Sequence, residues 1–310
     1  MILGNTVESI GDDGFTIIVL PDTQHYVQKD KYPETLKCFE SQIQWIIENR
    51  EKLNIVFVSH VGDITESYGT EGGEFLRASN VMRKLDGIVP YGFCIGNHDM
   101  QSDGTANIFN KYFPVSRYVK YDWWAGSFNG NRNNCQTFSV GGDDYLALHL
   151  EFCPTDEALQ WANEMLDKYP SRRAFITTHS YVTPEEDGIN GITTRDSRLS
   201  TNHPGIHRQG DNAGIDILEK VIIPNRNVFM VLCGHYHGER LVVSEPDGRN
   251  KVYGMLSDYG FEPHGGDGWL RVLQFVPSQN KIYVRIYSPY LKQFRTGTNS
   301  NFILDYPMTE

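Results

Sequence analysis

Five times along this chain of 310 residues an apolar run of strand length stops at, or just before, a polar cluster: Asp22-Thr23-Gln24-His25, Gly62-Asp63, Gly96-Asn97-His98-Asp99, His179, and Gly234-His235-Tyr236-His237. That pattern constrains the fold more than composition does. In α/β sheets the side chains beyond the carboxyl ends of the strands leave the core and gather at one edge, so five such ends offer one site. The first runs, at 15–20 and 55–58, flank a helical pattern over 34–48. There Leu36, Phe39, Ile43, Ile46 and Ile47 recur at spacings of three and four and form one buried stripe. The expected fold class is therefore α/β.

The same reading predicts helices over 74–85, 156–169 and 213–221, and strands over 91–95, 145–150, 174–178 and 228–232. After Gly238 the pattern turns to strands at 240–243, 252–256, 269–276 and 282–287, so the C-terminal third is mostly β. No internal repeat, low-complexity run or long Pro/Gly/Ser-rich linker divides the chain. The expectation is one domain over 1–310, with a catalytic core at about 15–290 and a C-terminal strand extension at about 291–310. The stretches 99–134 and 183–212 show no clear periodicity, and loops of that length are uncommon unless functional, which places them over the active face.

With 28 Lys+Arg against 39 Asp+Glu the formal net charge is −11, which leaves no diffuse basic surface for binding long nucleic acid by counterion release. No apolar run approaches the roughly 20 residues of a membrane helix. Residues 1–14 lack the basic start and apolar stretch of a signal peptide, so the cytoplasm is the expected location. Cys38, Cys94, Cys135, Cys153 and Cys233 are scattered singly and read as free core thiols.

The clusters offer carboxylate, amide oxygen and imidazole, a hard-to-borderline set suited to Mn, Fe, Zn or Co, and a dinuclear centre is its natural use. In order and residue type they match the signature of the calcineurin-like metallophosphoesterases. The chain resembles the bacterial branch that opens with Pro-Asp-Thr-Gln, here 21–24, and carries Gly-Gly-Asp-Gly-Trp-Leu-Arg, here 265–271, over roughly 16–305. The resemblance implies two packed mixed β-sheets flanked by helices in a four-layer sandwich. It also implies that Asp22, Gln24 and His237 hold one metal, that Asn97, His179 and His235 hold a second, that Asp63 bridges both, and that His98 is the catalytic histidine beside the phosphate. A bridging carboxylate offsets the repulsion of two cations some 3.5 to 4 Å apart. His235 and His237, two apart, would face the same way on an extended segment and need a tight turn to reach different metals.

Two positions set the subtype. Gln24 stands where most of the superfamily has an imidazole, which by ligand hardness weakens the preference for Zn and favours Mn or Fe(II); two divalent ions are expected, Mn or Fe first, with Zn or Mg as the alternatives. Glu66 stands where purple acid phosphatases have their tyrosine, which disfavours an Fe(III)-tyrosinate centre. The activity implied is hydrolysis of a phosphoester, with a small molecule as the expected substrate, by attack of a metal-bound hydroxide with no covalent phosphoenzyme. The same metal site would serve a phosphodiesterase or nuclease acting on nucleotides, or a protein phosphatase; a non-enzymatic β module with a relic site fits the intact ligand set poorly. Protein partners are not legible. His149 and Glu151 share a strand face and are candidates to orient a ligand, and His25, Tyr26, Arg132, Tyr181, His203, His207 and His264 are candidates to line the pocket. The aromatics Tyr118, Tyr121, Trp123 and Trp124 read as packing of a long loop, with a substrate platform as the alternative.

Overall fold

Strands that are apolar on both faces need cover on both faces. The computed structural model describes residues 6–31, 33–68, 70, 72–184, 188–194, 212–248 and 251–308, and in it two stacked sheets with outer helices supply that cover. The chain enters through β1 (Phe15–Leu20), the single-turn α1 (Gln24–Val27), α2 (Leu36–Asn49), β2 (Ile55–His60), α3 (Gly72–Met82) and β3 (Tyr91–Phe93). It continues through α4 (Asn107–Tyr112), β4 (Trp124–Phe128), β5 (Asn133–Val140), β6 (Asp143–Leu150), α5 (Asp156–Lys168), β7 (Arg173–Thr178), α6 (Gly214–Ile217) and β8 (Val228–Cys233). The remainder is β9 (Gly238–Ser244), β10 (Val252–Asp258), β11 (Leu270–Val276), β12 (Lys281–Ser288), β13 (Gln293–Phe294) and β14 (Asn301–Asp305).

One sheet runs β13-β12-β11-β1-β2-β3, with β14 also paired to β12, and the other runs β4-β5-β6-β7-β8-β10-β9. Within the first, β1, β2 and β3 are mutually parallel. Within the second, β6, β7, β8 and β10 are parallel. Period-two alternation divides β1 between two cores. Phe15, Ile17 and Val19 pack with Phe57, Phe175, Met230 and Leu232 between the sheets, while Ile18 and Leu20 pack with Phe39, Ile43 and Ile46 of α2 on the outer side. The outer face of the other sheet is covered by Leu159, Ala162 and Leu166 of α5 and Ile217 of α6.

Several elements depart from expectation. The stretch 99–134 is not simply a cover loop: it holds α4, a 3-10 turn at Val115–Arg117 and the edge strand β4. Its aromatics are packing residues, Tyr118 being buried and stacked on Trp124 at 5.3 Å. Strand β5 escaped the sequence pattern because its buried start is polar: Asn134 Nδ2 donates to the Phe93 carbonyl at 2.8 Å and Gln136 Nε2 to Asn134 Oδ1 at 2.7 Å. The helix expected over 213–221 is one α turn that runs into a π-helical segment, Leu218–Ile222. Cys153 is only half-buried, whereas the other four cysteines are core thiols. Most of 183–212 lies outside the described residues.

His149 stands between the sheets, with Nε2 at 3.0 Å from Ser59 Oγ and its ring 6.0 Å from that of Phe57. It does not touch the expected metal-binding side chains. Burial, and secondarily the neighbouring His60, hold its ring down at about 3. The folded value therefore lies below the unfolded one, near 6.5, so stability is fully present above 6.5 and is lost as pH falls from there toward 3. Between pH 7.5 and 5.5 this group should remove about 1.4 kcal/mol of unfolding free energy. Denaturant titrations of wild type and His149→Gln should show that increment only in wild type; an equal pH slope in both rejects the assignment.

Candidate metal centre

The five clusters do meet. Asp22 follows Pro21 at the end of β1 and is buried, as are Asp63 after β2, Asn97 after β3 and His179 after β7. Thr23 N–H donates to the Asp63 carbonyl at 3.0 Å, and Gly234 N–H to the His179 carbonyl at 3.0 Å, so neighbouring strand ends are tied before any side chain is considered. Asp99 takes hydrogen bonds from the N–H groups of Gly96 (2.9 Å), Ile64 (3.1 Å) and Thr65 (2.9 Å), which locks the loops after β2 and β3 together. Burial, and then the charge of Asp63, raise the Asp99 carboxyl to about 7.

Asp63, His179 and His235 each offer a ligand atom, all within 4.8 Å of one another. His179 Nδ1 is 2.8 Å from the Val61 carbonyl and takes its hydrogen there, which leaves the Nε2 lone pair facing Asp63 Oδ2 at 3.2 Å. Two acceptors opposed at that distance need a proton or a cation between them. Burial pushes the Asp63 carboxyl up, but His179 and His98 outweigh it and hold the group well below the usual carboxylate range. His235 has φ 73°, its N–H donates to Asp22 Oδ2 at 3.0 Å, and Tyr236 N–H folds back to the Gly234 carbonyl at 2.9 Å. This tight turn parts the two histidines. The His235 ring lies against His179 and Phe152, each at 5.0 Å, while the exposed His237 packs on Phe261 at 5.5 Å.

The donor set fits divalent cations. Asp22 Oδ1, Gln24 Oε1 and Asn97 Oδ1 are buried and have no hydrogen-bond partner among the described residues. Each such atom costs about 1–3 kcal/mol when nothing satisfies it. Burial, then the charges of Asp258 and Asp63, drive the Asp22 carboxyl well above its ordinary value, a stress that bound cations relieve. Two glycines make the crowding possible: a Cβ on Gly96 would collide with the Asp63 carboxylate, and one on Gly234 with Asp22 Oδ1.

His98 sits beside this group. Its backbone N–H donates to Asp63 Oδ1 at 2.9 Å, its Nδ1 is 2.9 Å from the Glu66 carbonyl and 3.6 Å from the Glu66 carboxylate, and its ring stacks on Tyr68 at 4.2 Å. Of the wider candidates, His25 reaches the same Glu66 carboxylate at 3.6 Å. Tyr26 accepts from Gly268 N–H at 3.0 Å, Tyr181 is buried in the core under α6, and His264 pairs with Asp267. Arg132 and Glu151 form a buried ion pair with each other. His203 and His207 lie outside the described residues. Sequence reasoning missed Asp258, buried at the end of β10 opposite Gly238, whose carboxyl is raised by burial and partly drawn down by His237. Its signal was present: it too ends an apolar run.

Two seven-stranded mixed sheets with helices outside and a cluster of hard donors at one edge make the α/β sandwich of the metallophosphoesterases. A sequence model of the calcineurin-like phosphoesterases matches residues 15–239, and the chain belongs to that family, which implies a divalent two-metal centre. The chain is 35% identical over 300 residues to the uncharacterized protein YvnB of Bacillus subtilis (strain 168), covering 93% of this chain but 21% of that protein; it thus spans about a fifth of that relative's length. A dimetal phosphatase from Danio rerio shares the fold with a TM-score of 0.58 at 12% identity, over 94% of this chain and 99% of that one. Purple acid phosphatase PPD1 from yellow lupin gives a TM-score of 0.54 at 11% identity, over 96% of this chain and 55% of that one.

The crowding predicts a metal phenotype for a single methyl group. Gly234→Ala should displace Asp22 and cut saturating bound Mn, read by elemental analysis, by at least half, with the far-ultraviolet dichroism unchanged. Full metal content in that variant would place Asp22 outside the centre.

Proposed function

We propose that the protein hydrolyses a small phosphoester by direct attack of water, with Asp22, Gln24 and His237 holding one divalent cation, Asn97, His179 and His235 a second, and Asp63 shared between them. The observation that carries this reading is the convergence of Asp63, His179 and His235 within 4.8 Å beside three buried oxygens that lack partners. Bound cations of this kind supply Lewis acidity: they neutralise charge on the phosphoryl oxygens and lower the pKa of water toward neutrality. Gln24 in place of an imidazole makes the set more oxygen-rich, which weakens the preference for Zn and favours Mn or Fe(II), with Mg as an alternative.

The chain's own part is placement and proton delivery. The Glu66 carbonyl accepts the Nδ1 hydrogen bond of His98 and so fixes the ring, leaving Nε2 as the nitrogen that protonates the leaving oxygen. The Asp63 carboxylate takes His98 N–H and thereby couples the position of the acid to the position of the shared ligand. Pairing of β14 with β12 supports the reading of one domain over 1–310, with a catalytic core at about 15–290 and a strand extension at about 291–310.

Metal-stripped protein should regain activity best with Mn, at about two ions per chain. Saturation at one ion, or full activity in chelator, overturns the two-metal reading. The Fe-loaded protein should show no tyrosinate charge-transfer band, since Glu66 occupies the tyrosine position. His98→Asn should keep its metal while the rate falls roughly 10² to 10⁴, the worth of a positioned general acid. The loss should be smaller for a nitrophenyl ester, whose leaving group needs little protonation, than for an alkyl ester. Asp63→Asn should lose metal itself. Equal slowing of both esters by His98→Asn removes His98 from the leaving group.

A further inference from the structure

One exposed apolar side chain stands out from the ordinary scatter on a protein surface. Phe261 is 77% exposed, more than any other large apolar residue described, and it lies beside His237 and His25. Its ring meets that of His237 edge-on at 5.5 Å and 85°, and that of His25 at 5.7 Å and 69°. The turn that carries it is held in place. Glu262 N–H donates to the Tyr259 carbonyl at 2.9 Å, Tyr259 is buried, and Gly260 N–H is bound by Asp258 Oδ1 at 2.8 Å. A rigid turn thus presents a phenyl face to solvent beside an expected metal ligand.

A second ring borders the same arc. Tyr68, 40% exposed, stacks face to face on His98 at 4.2 Å and 27°, and its backbone is held at φ 50°, a strained conformation for a bulky residue. A chain of side chains links the two rings: His98 and His25 each approach the Glu66 carboxylate at 3.6 Å, and the His25 ring lies 5.7 Å from that of Phe261. Exposed aromatic faces at a site attract planar π-systems, by offset stacking or edge-to-face contact.

We infer that Phe261 and Tyr68 form a stacking subsite for the organic group, so that the preferred substrate is a phosphoester bearing a planar aromatic ring. This rests on the phosphoesterase reading for the phosphate and adds the identity of the group attached to it. The ring could belong to a nucleoside or to a simple aryl alcohol, and both present the same face.

The test isolates the ring from leaving-group reactivity. Adenosine 5′-phosphate and ribose 5-phosphate share a primary alkyl leaving group and differ by the base; 2-phenylethyl and 2-cyclohexylethyl phosphate share one and differ in planarity. Binding of each to the Mn-loaded protein is measured by calorimetry, and turnover is measured separately, for the monoesters and for their methyl diesters. The ring-bearing member of at least one pair should bind about tenfold more tightly, and Phe261→Ala and Tyr68→Ala should each reduce that ratio severalfold, whereas Phe261→Trp should retain it. A preference in the first pair alone names a nucleoside; a preference in both names the aromatic face itself. Equal binding within both pairs, or a ratio that survives both alanine variants, overturns the inference even if every ester is hydrolysed. Ring-dependent binding without turnover of any ester supports the subsite and overturns the phosphoesterase reading instead.

Discussion

The carboxylate of Asp63 is the charge on which the rest of the centre is arranged. It faces His179 Nε2 at 3.2 Å from one sheet and takes the backbone N–H of His98 from the other, and the carbonyl of the same residue accepts from Thr23. A buried carboxylate is expensive without partners; here the His98 N–H at the end of β3 donates to it, and a proton or cation shared with His179 at the end of β7 would supply the other. Remove that charge and the acid loop loses its anchor and the opposed histidine its counterpart, while the Thr23 bond to the Asp63 carbonyl still ties the turn after β1. The missing Cβ of Gly96 belongs to the same arrangement, because a methyl group there would occupy the space of the carboxylate.

Such a site concentrates cost that the remainder of the molecule offsets. Asp63 and His235 are held at φ 47° and 73°, conformations that disfavour residues with a Cβ, and Asp22, Asp63, Asp99 and Asp258 are all buried within one region. Three apolar layers make this tolerable: one between the sheets and one under the helices on each side. Phe261 projects from a turn whose neighbours Tyr259 and Trp269 are buried.

Much of the fold was legible because the chain uses strong local signals. The stripe of α2 and the two-sided apolar run of β1 announce a helix against a sheet that is covered on both faces. Legibility failed where burial was polar or mixed. Strand β5 begins with Asn133 and Asn134: the Asn134 amide donates to the Phe93 and Asn131 carbonyls and Asn133 Oδ1 accepts from Glu151 N–H, while α6 passes into a π turn that no periodicity marks. The assignment of 99–134 to a loop failed for a related reason: its rings, including Tyr118 and Trp123, face a three-dimensional core and not a repeating stripe.

Residue identity and order alone determined that hard oxygen and nitrogen donors would sit beyond successive strand ends, because apolar runs of that length and spacing become strands whose ends leave the core together. They determined also that Gln24 replaces an imidazole and that Glu66 replaces a tyrosine, since these are facts of composition at a position. Only the tertiary structure decided which donors face one another. Whether His235 and His237 point together or apart depends on one left-handed residue and a carbonyl two residues back. That Asp258 joins the acidic cluster depends on antiparallel pairing of β10 with β9, and that Phe261 lies over two histidines depends on a turn between strands of different sheets. Such relations are set by packing between residues distant in sequence, to which local pattern is blind.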